Sequence, residues 1–334
     1  MLNQNLKLNT KLFDENVEKV STRVGFGEGF VIAADRDKNV VGLCADLNES
    51  TQMSVFAKKY PERFVQVGVA EQNLVTVASG MAAMGKIPFA ASYAVFSPGR
   101  NWEQVRTTIA LNNQPVKIVG SHAGVSVGPD GATHQALEDL ALMRILPNMI
   151  VLSPCDAIEA KKATIEAAKI DKPVYIRLAR DKTSIITTEE TPFEIGKAQI
   201  LFSPPMQAQA GIIATGPLVH KAILAAQKFA EKGISVKVMN ISSVRPLDFE
   251  AIINFAKEAG AIVSVEDHQI VAGFGSSIAE VLVQNYPVPM ELIGVHDKFG
   301  QSGTPDELLE YYGMGVSNIE RAVEKVIQRK KVVF

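Results

Sequence analysis

Cysteine is nearly missing from this chain. Cys44 and Cys155 are the two in 334 residues, and neither sits in a CxxC or other metal-ligand spacing. That excludes a disulfide framework or a zinc module. Both lie in apolar, strand-like runs, which fits buried free thiols in a reducing cytoplasm. No long run of basic residues occurs and the net charge is −2, so an extended nucleic-acid backbone is not the expected partner. A few Arg and His residues still suffice for a pocket that takes a phosphorylated metabolite. No window is apolar for long enough to span a bilayer. The opening MLNQNLKLNTKLFDENVEKV has no apolar core of a signal peptide. A cytoplasmic protein that neither enters a membrane nor binds nucleic acid is the expectation.

What is present is a globular composition, 47% hydrophobic and 21% charged, in a chain too long for one ordinary core. Short apolar runs alternate with helix-period segments. Val40–Cys44, Phe64–Val67, Ile87–Ala91, Val116–Gly120, Met149–Leu152 and Val174–Leu178 read as buried strands. Glu71–Met84, Asn101–Leu111, Gln135–Ile145 and Asp156–Ala168 read as helices between them. The alternation predicts an α/β fold with a parallel sheet covered on both faces. A Thr/Ser/Pro-rich stretch then breaks the rhythm, and a second, smaller alternating set follows. Its strands are Gly211–Ala214, Val236–Asn240, Ala261–Val265 and Met290–Ile293. Its helices are Leu218–Lys232, Phe249–Glu258, Ser276–Tyr286 and Val316–Arg329. The expected organisation is a first domain over 10–182, a linker over 183–205 and a second α/β domain over 206–330.

Ligands of open parallel sheets bind at the carboxyl ends of the strands, so polar residues that follow apolar runs are the candidates. Asp46 and Ser50 lie in the loop after VVGLCA, and Glu71 follows VQVGVA at the start of a helix. A carboxylate at a helix N-terminus is ordinary by itself. Between an apolar strand and an apolar helix it is also expected to be partly desolvated, which suits it to share a proton with a ring nitrogen. Phe96 and Trp102 lie in YAVFSPGRNW. The loop SHAGVSVGPDGATHQ is long for a strand-to-helix connection and holds His122, Asp130 and His134, two of the five histidines in the chain. Arg23 and Arg180 could fork onto phosphate, although either alone reads rather as a surface ion pair.

The runs FVQVGVAEQNLVTVASGMAAMGKIPF, SYAVFSPGRNWEQVR and SHAGVSVGPDGATHQALEDLALMRILPNMIVLSPCDAIEA resemble the pyrimidine-binding domain of transketolases. SVEDHQIVAGFGSSIAEVL resembles that family's C-terminal domain. The likeness extends from about Thr22 onward and is strongest to the C-terminal subunit of split transketolases, in which two short chains replace one long one. It implies thiamine diphosphate as cofactor and two-carbon ketol transfer from a ketose phosphate to an aldose phosphate, as in the pentose phosphate pathway. On this resemblance Glu71 matches the glutamate that hydrogen-bonds N1′ of the aminopyrimidine. Phe96 matches the aromatic packed on that ring, and Trp102 falls near a second one. Asp46 and Ser50, in ADLNES, match a segment that reaches the cofactor and the substrate phosphate. His122, Asp130 and His134 match positions that contact the substrate, and Arg23 and Arg180 match the arginines on its phosphate. His122, His134 and Glu71 form the implied catalytic set. Two departures stand out: FSPGRNW carries fewer aromatics than long-chain transketolases, and Glu49 replaces the common proline before Ser50.

The family's GDG…NN motif for the diphosphate and its Mg²⁺ or Ca²⁺ is missing. Asn112-Asn113 has nothing upstream to complete it and reads as a helix end before Pro115. The resemblance therefore implies an N-terminal partner subunit that carries the motif, and a heterotetramer. The alternatives are a 1-deoxyxylulose-5-phosphate synthase-like chain, a 2-oxoacid dehydrogenase β-like subunit, or a non-catalytic subunit that keeps the fold. The first usually lacks a histidine at the place of His122. The second typically lacks DGATH and the arginines.

Overall fold

A run such as Val40–Cys44 has no polar alternation, so it is stable as a strand only where both faces are covered. In the computed structural model, which describes residues 1–333, every residue of this strand is buried. It is the second-to-last member of a seven-stranded sheet. The spatial order is Ser243–Arg245, Ile150–Leu152, Val174–Arg177, Lys117–Ser121, Ile87–Tyr93, Val40–Cys44, Phe64–Gln66. All neighbours are parallel except the first pair, in which a strand from the second domain is added antiparallel to Ile150–Leu152. A second sheet, Met290–Val295, Ile262–Gln269, Ala210–Ala214, Val236–Asn240, Gln199–Phe202, is parallel but for its last strand. The expected two-unit α/β architecture is the observed one.

One face of the first sheet is covered by the helices Thr22–Arg36 and Ala157–Lys169. The sequence reading assigns no element to Thr22–Arg36, and the packing explains why. Its glycines meet the second helix so closely that a Cβ on Gly25 would lie 1.8 Å from the Ala157 carbonyl oxygen, and one on Gly29 2.5 Å from that of Lys161. A helix buried on several sides, with glycine at the closest approach, shows no single apolar stripe. Its Phe26 and Phe30 join Phe56 and Phe89 in an aromatic core, with Phe30 and Phe56 rings 4.2 Å apart. The other face packs against Glu71–Ala83 and onto apolar residues of the second domain, including Phe255 and Phe274.

The segment 183–205 begins in a separate two-stranded sheet and ends in the second sheet. Lys182–Ser184 pairs antiparallel with Lys19–Ser21, and Gln199–Phe202 forms the edge of the second sheet. The N-terminal residues also cross over: Leu8 and Leu12 are buried in the second domain's core, and Asn3 N–H donates to the Leu201 carbonyl at 2.9 Å. The predicted helix Asn101–Leu111 is one short α turn, Trp102–Gln104, continued as a π-helix, Val105–Ala110. The predicted helix Gln135–Ile145 shortens to Asp139–Arg144, because residues 135–138 belong to the long loop.

Candidate active site

The strand ends of the first sheet bring most of the candidate residues into one cluster. Arg23 lies in the first turn of its helix and donates from Nη1 to the Ser50 carbonyl at 2.7 Å. Burial, and then the charge of Arg180, lower the pKa of its guanidinium. Its Nε is buried without a hydrogen-bond partner. Arg180 Nε lies 3.8 Å from Asp130 Oδ2. Two guanidinium groups close enough to perturb each other, with a donor left unpaired, form a seat for an anion such as phosphate.

His122 faces the same place. It is 2% exposed, and Nδ1 lies 2.9 Å from Ser121 Oγ. Burial first, then Arg23, Arg180 and His134, push its pKa down to about 3, so it is a neutral imidazole at physiological pH. Its backbone is left-handed, at φ 58°. The ring stacks on Tyr93 with centroids 3.9 Å apart. Tyr93 lies 6.1 Å from Phe96, and His134 sits edge-on to both rings, at 6.0 Å and 5.5 Å. Sequence reasoning missed Tyr93. It ends the strand Ile87–Tyr93, so the rule that picked Phe96 also applies to it.

Glu71 opens the helix Glu71–Ala83 and is 2% exposed. Its Oε2 accepts a 2.6 Å ion-pair hydrogen bond from Arg100 Nη1, a second residue that the reading did not single out. Arg100 also lies over Phe96, 5.1 Å from the ring centroid. Buried Asn101 ties the loop down by donating from Nδ2 to the Glu71 carbonyl at 2.8 Å. A line of contacts therefore runs from Glu71 through Arg100 and Phe96 to His134, Tyr93 and His122, and the charges of Arg23 and Arg180 act on His122. Trp102 is engaged elsewhere: its indole N–H donates to the Leu142 carbonyl at 2.9 Å, and the ring packs on the core. Asp46 has an exposed side chain and a left-handed backbone, held by its N–H to Gln66 Oε1 at 2.8 Å.

The second domain holds the histidine loop in place. The Asp267 carboxylate accepts the backbone N–H groups of Val125 at 2.9 Å and Ser126 at 3.2 Å. Gln135 Nε2 donates to the Gln301 carbonyl at 2.9 Å. Below the loop, buried Arg177 pairs with Asp139 at 2.8 Å and donates to the Asp267 carbonyl at 2.8 Å. The neighbouring Glu266 accepts the N–H groups of Phe274 and Gly275 at a helix start, and burial raises its pKa to about 7.

A half-buried aromatic ring beside a carboxylate with a free oxygen fits a flat heterocycle that offers a π face and a hydrogen-bonding edge. The arginines and imidazoles of the same cluster fit a polar molecule with an anionic end. Among the described residues, no group of three His, Cys, Asp or Glu side chains is placed to hold a metal ion.

Two α/β units with such a polar cluster at the strand ends of a parallel sheet have the layout of a ligand-binding α/β protein. The family description "Transketolase, pyrimidine binding domain" matches residues 18–184, and "Transketolase, C-terminal domain" matches residues 196–319. The chain belongs to the transketolase family. It is 42% identical to a putative transketolase C-terminal section of Methanocaldococcus jannaschii, over 92% of this chain and 96% of that one. It is 39% identical to a 6-deoxy-6-sulfo-D-fructose transketolase subunit of Clostridium sp. strain MSTE9, over 89% and 91%. A solved split-gene transketolase, described as an inactive β4 tetramer, superposes with a TM-score of 0.86 at 41% identity, covering 93% of this chain and 99% of that one.

Proposed function

We propose that this chain is the C-terminal subunit of a two-chain transketolase, which moves a two-carbon ketol unit from a ketose phosphate to an aldose phosphate in the pentose phosphate pathway. The observation that carries the reading is the line of contacts from buried Glu71 through Arg100 and Phe96 to His134, Tyr93 and His122, with Arg23 and Arg180 close enough to act on His122. Thiamine diphosphate, when bound, supplies the electron sink that breaking a carbon–carbon bond beside a carbonyl requires. Glu71 would hydrogen-bond the edge of the cofactor's pyrimidine ring and hold a proton there, and Phe96 would pack on the ring. Neutral His122, together with His134, would bond the substrate hydroxyls and move protons at its oxygens. Arg23, Arg180 and the Ser50 segment hold the phosphate, Asp130 orients Arg180, and Asp46 reaches toward the cofactor.

An N-terminal subunit that carries the GDG…NN motif completes the site and holds the diphosphate with Mg²⁺ or Ca²⁺. Support comes from the absence of GDG in this sequence and from apolar side chains left bare beside the Glu71 helix: Val69 is 72% exposed, Met84 83% and Leu111 73%. The likeness to a chain described as a β4 tetramer supports self-association, and with the partner a heterotetramer. Two buried free cysteines support the cytoplasm as its place. No helix of the described residues is long and apolar enough to cross a membrane.

The test is to purify the chain with the N-terminal subunit and follow ketol transfer from xylulose 5-phosphate to an aldose phosphate. Transfer that needs both chains and ceases in Glu71→Ala supports the reading. Transfer unchanged in that variant leaves only a scaffolding role.

A further inference from the structure

Glu71 is nearly sealed from solvent, yet the cation bonded to it is not: the Glu71 side chain is 2% exposed and that of Arg100 50%. Arg100 takes one oxygen, Oε2, at 2.6 Å. Among the described residues the other oxygen, Oε1, has no hydrogen-bond partner, and Arg100 is the one cation in contact with this carboxylate. The loop that presents Arg100 is fixed. A Cβ on Gly99 would lie 1.9 Å from the Val95 carbonyl oxygen, and Asn101 Nδ2 bonds both the Glu71 carbonyl and Ser97 Oγ. The guanidinium also rests on Phe96, so one side chain touches both the carboxylate and the aromatic ring.

We propose that Arg100 is a positioning residue for the pyrimidine ring, acting through Glu71. By holding Oε2 it sets the carboxylate rotamer and turns Oε1 toward the ring nitrogen. By lying on Phe96 it sets the spacing between the hydrogen-bonding edge and the stacking face. A half-exposed arginine ordinarily contributes little to folding. Here its partner is a buried carboxylate, so losing the arginine strips Glu71 of its counter-ion, and stability and affinity have to be read separately. The proposal rests on the reading that the assembled protein binds thiamine diphosphate.

The experiment is an equilibrium titration of thiamine diphosphate into the chain assembled with its N-terminal partner, read by tryptophan fluorescence. Arg100→Ala, Arg100→Lys, Glu71→Gln and the Arg100→Ala/Glu71→Gln double variant are compared with wild type. A thiamine diphosphate analogue with C–H in place of pyrimidine N1′ is titrated in parallel. Arg100→Ala is expected to raise Kd about tenfold, the effect of one charge-assisted hydrogen bond. Arg100→Lys restores part of the affinity. The effect disappears in the Glu71→Gln background and with the analogue, because the residue acts through the carboxylate. Thermal unfolding is followed in parallel, and Arg100→Lys, which keeps a counter-ion beside Glu71, separates the effect on the ring from any loss of stability in Arg100→Ala. Affinity unchanged or tighter in Arg100→Ala overturns the proposal, and so does a weakening of equal size in the double-variant comparison and with the analogue. A wild-type assembly that binds no thiamine diphosphate overturns the functional reading itself and the proposal with it.

Discussion

The histidine loop and the Glu71 edge sit on the same sheet, yet they are finished to different degrees. His122 is buried, stacked on Tyr93 and neutral, and its loop hangs from the second domain by the Asp267 carboxylate. The Glu71 edge carries a half-exposed arginine and the bare side chain of Val69. On the proposed function, the difference teaches that the end assigned to the substrate is completed by folding, whereas the end assigned to the cofactor is left for another surface to cover.

The comparison can be broken or sharpened in a graded series. The largest effect is expected from Glu71→Ala, which should lower ketol transfer by the assembled protein about 10²- to 10⁴-fold, the usual worth of a positioned proton carrier. Steady-state rates check it, while the variant's unfolding midpoint should barely move. Next comes Gly124→Ala, which strikes the finished half. Gly124 has φ 84°, and a Cβ there would lie 2.1 Å from Asp267 Oδ2. The loop should lose its anchor, at a cost of about 2–4 kcal/mol in stability, read by denaturant unfolding of the chain alone.

Arg180→Ala is smaller and selective. It should raise KM for phosphorylated donors about tenfold while hydroxypyruvate, which lacks the phosphate, is used nearly as before. An equal loss on both donors would remove the phosphate assignment.

The smallest effect is a change of slope with pH. Burial raises Glu266 from 4.5 to about 7, so between those values the folded chain keeps a proton that the unfolded chain releases. Its contribution to stability is full below about pH 4.5 and fades as pH rises through 7. Glu266→Gln should flatten the decline over that window in pH-dependent unfolding. The lowered pKa of His122 works in the opposite sense, adding stability as pH rises from about 3 to 6.5.

Much of this was legible in the sequence because the parallel strands are short, wholly apolar and followed by their polar residues. Glu71, His122 and His134 could be picked out for that reason alone. Tyr93 and Arg100 were harder. Each lies inside a quoted motif, but an aromatic at a strand end reads as core, and an arginine after glycine reads as a solvated loop charge. Their roles depend on which ring or carboxylate the fold sets opposite them. The helix Thr22–Arg36 escaped because glycines at a close helix contact erase its periodicity. Asp267 escaped for a different reason: its partners, Val125 and Ser126, lie in the other domain, and no local pattern records that meeting. Trp102 shows the converse, an aromatic near the right motif whose indole bonds the Leu142 carbonyl instead.

The most direct measurement titrates thiamine diphosphate, with Mg²⁺ present, into the purified chain alone and then into the chain mixed with its N-terminal partner. A site divided between two polypeptides predicts no saturable binding in the first titration and tight, stoichiometric binding in the second. Full-affinity binding by the chain alone would contradict the account.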